Sequence, residues 1–225
     1  AAILVEGTVE KLLLPKMVEK SAPKLRTKYL SILEVGGAYA YRFEELLSFL
    51  NIPYLVITDL DSVDPDGRHP SCRGDHPGAL TSNATLKQLL RVETVHQLLE
   101  LTSEQKRDAV RDRCVAFQTG VIVEEDGNTL QMVPRTIEEA FAYENFALLR
   151  SGELRVGKDV PQDLGQAYEA IYERIKSSSF KKTNFALDVL SSEQDWATPG
   201  YIADGLLWLE NRLTEVQDVQ PLAGS

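Results

Sequence analysis

The chain has 225 residues, 43% of them hydrophobic and 26% charged, with a formal net charge of −10. That length suits one large domain or a domain with an appended lobe, and no apolar run nears the roughly 20 residues that span a bilayer. The acid excess excludes a surface that coats nucleic acid generally, but it leaves room for a site that gathers carboxylates around cations. Cys72 and Cys114 are the two cysteines, too few for a disulfide framework, so a reduced cytoplasmic setting is expected.

Ile3-Leu4-Val5 reads as a short buried strand running into Glu6-Gly7 and a helix over residues 9–20. Leu12, Leu13 and Met17, with Val9 and Val18 beside them, form the buried side of that helix. Glu10 falls in its first turn, where the helix dipole favours an acid, so on its own it needs no role beyond the surface. Lys16, Lys20, Lys24, Arg26 and Lys28 make the densest basic cluster. A solvated helix face and loop explains the cluster, and Lys16 and Lys20 are kept as candidates for substrate contact. Residues 29–35 read as a second strand closed by Gly36-Gly37. Tyr41 to Leu50 reads as a helix with Phe43, Leu46, Leu47 and Leu50 inward.

Tyr54-Leu55-Val56-Ile57 is an apolar run with the character of a fully buried strand, and Asp59-Leu60-Asp61-Ser62 follows it. The β-α-β-α-β order predicts a parallel sheet with right-handed crossovers. Ligands of such sheets bind at the carboxyl ends of the strands, where Asp59 and Asp61 stand. Glu6 at a second strand tip and Glu10 one turn beyond can face the same cavity. Carboxylates that close repel one another unless a cation holds them, and oxygen ligands suit a divalent ion such as Mg2+ or Mn2+. Alone, an Asp-x-Asp pair is equally a turn or helix-cap pattern.

Residues 63–80 are rich in proline and glycine and read as a long, mobile, substrate-facing flap. Asp66, His69, Cys72, Asp75 and His76 within it fit no structural zinc spacing. Ser82 or Asn83 can cap a helix over 84–91. Helices are expected over 94–101 and 103–113, a strand over 115–118, and a hairpin turning at Asp126-Gly127. Thr136 opens a helix with a capping-box pattern to Glu139. Residues 162–176, 183–190 and 199–213 read as helices, the last with Trp208 on its apolar side. Residues 214–225 read as a frayed tail.

Five of these stretches carry a family likeness. LVEGTVEKLLLP (Leu4 to Pro15), followed by the DxDS of Asp59 to Ser62, resembles a Toprim domain, the metal-binding fold of topoisomerases, primases and certain nucleases. TSNATLK (Thr81 to Lys87), RTIE (Arg135 to Glu138) and KxxFA (Lys182 to Ala186), in that order, resemble the OLD (overcoming lysogenization defect) nucleases. The resemblance runs from residue 3 to about residue 210. It implies an α/β fold, a Rossmann-like parallel sheet flanked by helices. Residues 1–135 would be the Toprim nuclease domain, 136–213 a helical lobe bearing a catalytic lysine, and 214–225 a flexible tail. It also implies DNA cleavage with two Mg2+ or Mn2+ ions. Asp59 and Glu6 would hold one ion, Glu10 and Asp61 the second, and Ser62 and Glu138 would be outer or partial ligands. Lys182 would face the phosphate, and Asn83 would lie beside the cluster as a substrate contact. The chain starts without an initiator Met and holds no GxxxxGK[ST], so an N-terminal ATPase domain is expected to precede it in a longer parent and to carry any oligomer contacts. Three other readings stay open. One is a haloacid-dehalogenase-like phosphatase with Asp59 as nucleophile, although that motif normally follows the first strand of its domain. Another is a primase- or topoisomerase-type Toprim fragment, and the third a DNA-binding module without catalysis.

Overall fold

Parallel strands need crossover connections long enough to cover the sheet, and helices supply them here. The computed structural model describes residues 1–154, 156 and 160–218. Strand β1 (Ala2–Val5) leads into helix α1 (Thr8–Ser21) and a 3-10 turn (Pro23–Thr27). Strand β2 (Ser31–Glu34) follows, then a 3-10 turn (Ala40–Phe43) continuing into α2 (Glu44–Phe49), and then β3 (Tyr54–Ile57). A small pair, β4 (Ser62–Val63) and β5 (Leu80–Thr81), brackets the long loop. Next come α3 (Ala84–Leu90), α4 (Val95–Glu100), β6 (Arg107–Asp108), β7 (Arg113–Ala116) and the hairpin β8 (Val121–Glu125) and β9 (Asn128–Met132). The chain then turns helical: α5 (Ile137–Glu144), α6 (Phe146–Arg150), α7 (Leu164–Lys176), α8 (Lys182–Ser191) and α9 (Gly200–Asp218).

The main sheet has the order β2-β1-β3-β7-β6, parallel except for the short edge strand β6. Val5 pairs with Ile57 and Ile57 with Ala116, so Glu6, Thr58 and Phe117 leave the sheet along one edge. The two-residue period of a strand divides the core. Ile3, Val5, Leu55, Ile57 and Ala116 face α1, α5, α8 and α9, while Leu4, Val56, Val115 and Phe117 face α3 and α4. Leu4, Leu55 and Val56 have no solvent exposure, and burial of each contributes about 1.5–3 kcal/mol. Helix α9 lies on β3 and β7, and α1 packs against both α8 and α9. Among the described residues no helix is long and apolar enough to cross a membrane. Both cysteines are free and buried.

Several local expectations fail for nonlocal reasons. Residues 103–113 are turns and β6 rather than a helix, because Asp108 and Arg107 pair with β7 and so extend the sheet edge. Leu46 and Leu50 do not point inward; they are 53% and 50% exposed, and Leu47 alone of the four predicted residues is buried. The predicted capping box at Thr136 is rearranged. Its side chain makes no cap bond, and Glu139 Oε2 instead accepts the Arg135 N–H at 3.0 Å. The expected tail is helical through Asp218, and residues 219–225 lie outside the described residues.

The loop over 63–80 is docked rather than free. Arg73 stacks 4.3 Å from the Tyr168 ring centroid and reaches Glu169 at 2.8 Å, while Tyr172 Oη donates to Ser71 O at 2.7 Å. Gly74 sits so close to β9 that a Cβ there would meet Val133 Cγ1 at 2.4 Å. A comparable close approach fixes α9. A Cβ on Gly205 would lie 2.9 Å from Leu55 Cδ1 and 3.1 Å from Ala116 Cβ. Gly205→Val should therefore destabilise the protein by about 1–3 kcal/mol through overpacking, read as a lower urea midpoint. Leu207→Ala, on the exposed face of the same helix, should move the midpoint far less.

Candidate active site

Five acids from four segments meet in one cluster. Glu6 follows β1, Glu10 rides the first turn of α1, Asp59 and Asp61 follow β3, and Glu138 lies in the first turn of α5. Their mutual repulsion marks them as one cluster. Burial first, and then the charges of Glu10, Asp61, Glu6 and Glu138, push the Asp59 carboxyl well above its ordinary pKa. Glu10 is raised to about 7, by burial and by Glu138 and Glu6, against the pull of its own backbone N–H and of Lys182. Glu6 and Asp61 are raised too, mainly by burial, with Thr58 and Asn83 countering at Glu6 and Arg135 and Lys182 at Asp61.

Hydrogen bonds hold these acids in place. Asp59 Oδ1 accepts from Gln118 Nε2 at 2.6 Å and from the Ile137 N–H at the start of α5 at 3.1 Å. Glu6 Oε1 accepts the Thr58 hydroxyl, Asn83 Nδ2 at 2.7 Å and the Asp59 N–H at 3.2 Å. Asn83 Nδ2 also lies 2.7 Å from Asp59 O, and its Oδ1 caps α3 through the Leu86 N–H. The cap predicted from sequence thus also ties α3 to the acid cluster. Asp61 has a left-handed φ of 48°, a conformation that aspartate tolerates better than most residues. Its N–H donates to Arg135 O, and its own carbonyl accepts the Ser82 N–H, both at 3.0 Å.

Lys182 Nζ stands 3.1 Å from each oxygen of Glu138, donating to Oε2. Glu138 is 1% exposed and Lys182 52% exposed, so the lysine covers the acid from the solvent side. Desolvation lowers the Lys182 pKa, but the charges of Glu138 and Asp59 outweigh it and the net shift is upward. Lys181 points elsewhere, to Ser178 O at 3.3 Å. Ser62 is fully buried with its hydroxyl given to Cys72 O at 2.6 Å. Lys16 pairs with Glu19, and Lys20 with Asp195 above the Trp196 ring. So the structure brings Glu6, Glu10, Asp59, Asp61, Glu138, Lys182 and Asn83 together, sets Ser62 behind Asp61, and leaves Lys16 and Lys20 among other partners.

Sequence reasoning missed Thr58, Gln118, Glu139 and Tyr201. Thr58 precedes the Asp-x-Asp directly, and Gln118 lies just past the buried strand β7, so strand-tip position was a usable signal for both. Nothing local marks Glu139 as a fully buried acid raised to about 8, chiefly by that burial, or Tyr201 as a neighbour of Asp59. Thr136 Oγ1 and Arg135 Nε are buried without a hydrogen-bond partner in this region.

The donors are all hard oxygens in excess over nearby cations, which is the chemistry that Mg2+, Mn2+ or Ca2+ selects. Among the described residues, no three His, Cys, Asp or Glu side chains converge tightly enough to ligate an ion as they stand. Lys182 on Glu138 and Asn83 on Glu6 hold two of the acids in hydrogen bonds that an ion would replace or share.

Residues 1–61, which contain Glu6, Glu10, Asp59 and Asp61, match the family model "Overcoming lysogenization defect protein-like, TOPRIM domain". Over that stretch the chain is similar to the OLD-type Toprim domain. Endonuclease GajA of Bacillus cereus (strain HuB5-5) is 27% identical over 229 residues, which takes in 95% of this chain and 32% of that protein. The chain therefore spans about a third of that relative's length. The C-terminal region of the Burkholderia pseudomallei OLD protein superposes with a TM-score of 0.50 at 20% identity, covering 94% of this chain and 97% of that one. That likeness shows a shared fold, a mixed sheet with parallel strands flanked by helices. Outside the matched residues, RTIE brings Glu138 to the acid cluster and KxxFA brings Lys182 from α8.

A carboxyl with a raised folded-state pKa binds its proton more tightly folded than unfolded. Its destabilising effect is absent below the ordinary carboxylate range and grows as pH rises through the folded pKa. Metal-free protein should therefore melt lower at about pH 8.5 than at about pH 6, with Glu10 and Glu139 titrating in that window. Asp59→Asn should raise the metal-free melting temperature at the higher pH by removing the most crowded charge. Differential scanning calorimetry across the pH range, with chelator present, checks both.

Proposed function

We propose that this chain is the catalytic part of a metal-dependent DNA endonuclease that hydrolyses phosphodiester bonds with two Mg2+ or Mn2+ ions. The observation that carries this reading is the set of five carboxylates from four segments brought within reach of one another, with Lys182 paired to Glu138 on the solvent side. Asp59 and Glu6 would hold one ion, and Glu10 and Asp61 the second, with Glu138 joining at the edge. When bound, such a pair of ions supplies an activated water and neutralises charge on the leaving oxygen. Ser62 acts from behind, holding the Asp61 turn through Cys72 O. Without a cation Glu10 is raised to about 7, so it would give up its proton as an ion binds near neutral pH.

Lys182 has the clearest separate task. Its ammonium can leave Glu138 for a phosphate oxygen and meet the negative charge that builds as the bond breaks. Asn83 keeps Glu6 and the Asp59 backbone in register while the ions are absent. The two domains are read as residues 1–135 with the acids Glu6 to Asp61 and residues 136–213 with Lys182. A preceding ATPase domain in the parent protein is part of the same proposal, since the GajA relative is about three times longer than the matched region.

Supercoiled plasmid with Mg2+, Mn2+ or Ca2+ tests the activity, nicked and linear products being followed on a gel. Asp59→Ala should abolish cleavage and leave the fold intact. Wild-type cleavage by that variant in Mn2+ would reject the site. Lys182→Ala should lower the turnover rate by about 100-fold or more with metal affinity nearly unchanged, while Lys181→Ala stays near wild type. Equal activities of the two lysine variants would reject the assignment.

A further inference from the structure

We infer that Gln118 is the positioning residue for Asp59 and that Tyr201 on α9 sets Gln118 in turn. The inference rests on the reading of Asp59 as a cation ligand. Gln118 has no solvent exposure and lies just past the end of β7, beside the tip of β3. Its Nε2 donates to Asp59 Oδ1 at 2.6 Å and to Tyr201 Oη at 3.1 Å, and its Oε1 accepts the Leu60 N–H at 2.6 Å. Both ends of the amide are engaged. A flipped amide would set its oxygen against a carboxylate and its N–H against the Leu60 N–H, so the environment permits one orientation.

The consequence falls on the choice of ligand atom. Gln118 and the Ile137 N–H both bind Oδ1, and among the described residues Oδ2 accepts no hydrogen bond. A dry carboxylate facing Glu10, Asp61, Glu6 and Glu138 gains by turning away from them. Two donors on one oxygen oppose that rotation and leave the other oxygen for a cation. Partners of this kind that orient a ligating carboxylate typically govern metal affinity. Tyr201 lies in α9, which packs on β3 and β7, so docking of that helix reaches Asp59 through one chain of hydrogen bonds.

The test titrates Mn2+ alone into the whole chain by calorimetry and records the metal-free melting temperature of each variant. Gln118→Leu should lower Mn2+ affinity about 10- to 100-fold. Tyr201→Phe, which keeps the ring and the fold, should lower it about fivefold, the worth of one neutral hydrogen bond. A folded Gln118→Leu protein with wild-type Mn2+ affinity overturns the inference. If Gln118→Leu does not fold, Tyr201→Phe decides the matter, and wild-type affinity there overturns it. Asp59→Asn separates the two levels. If it loses Mn2+ binding while the Gln118 and Tyr201 variants keep it, only the positioning role fails. If Asp59→Asn itself binds Mn2+ as wild type does, the reading of the site fails and the positioning role with it.

Discussion

Five carboxylates gathered into one largely buried cluster are the constraint to which the rest of this molecule answers. At an effective dielectric of about 20, two unit charges near 4 Å repel by about 4 kcal/mol, and here each acid feels several others. Such a cluster survives folding only if neighbours hold it and if protons or cations relieve it. The surrounding design reads as a response to that load. Thr58, Asn83, Gln118 and the Ile137 N–H all donate into it, and Lys182 lies across Glu138. Few of those donors come from the element that bears the acid they serve, so the site is a product of packing.

The packing itself follows from the sheet. Aligned register in β1, β3 and β7 brings three strand ends to one edge, and α1 starts there with Glu10 in its first turn. Helix α8 packs against α1, which puts Lys182 within reach of Glu138 and of the Glu10 and Asp59 charges. Helix α9 covers the face of β3 and β7 at Gly205, where the absence of a side chain allows close approach. The apolar core on that face is continuous from Ile3 to Leu209, so the helices that follow α5 share one hydrophobic cluster with the strands that carry the acids. A change in that core would shift the acids and the lysine together.

The loop after Asp61 belongs to the same arrangement. It looks like a free flap by composition, yet Arg73, Gly74 and Ser71 pin it to α7 and β9. Ser62 ties the middle of the loop, at Cys72, back to its start, and the Asp61 backbone is bonded to Arg135 and Ser82. The left-handed conformation at Asp61 is therefore held from three directions, as expected where strain serves a site.

What the sequence by itself determined is what depends on neighbours along the chain. The apolar runs before Glu6 and Asp59, the turn at Asp126-Gly127 and the cap at Asn83 were all legible, because period, turn chemistry and capping are local. The parallel order followed from the same runs, and with it the meeting of Glu6, Glu10, Asp59 and Asp61 at one edge. Contacts across the sheet and between helices were decided only by tertiary structure. Residues 107–108 became a strand because an open edge of β7 was there to pair with. Leu46 and the following Leu50 stay exposed because α2 buries Leu47 alone. Gln118 and Tyr201 are separated by 83 positions in sequence and by 3.1 Å in space. No local pattern encodes that closeness, since it arises from where a buried helix settles on a sheet.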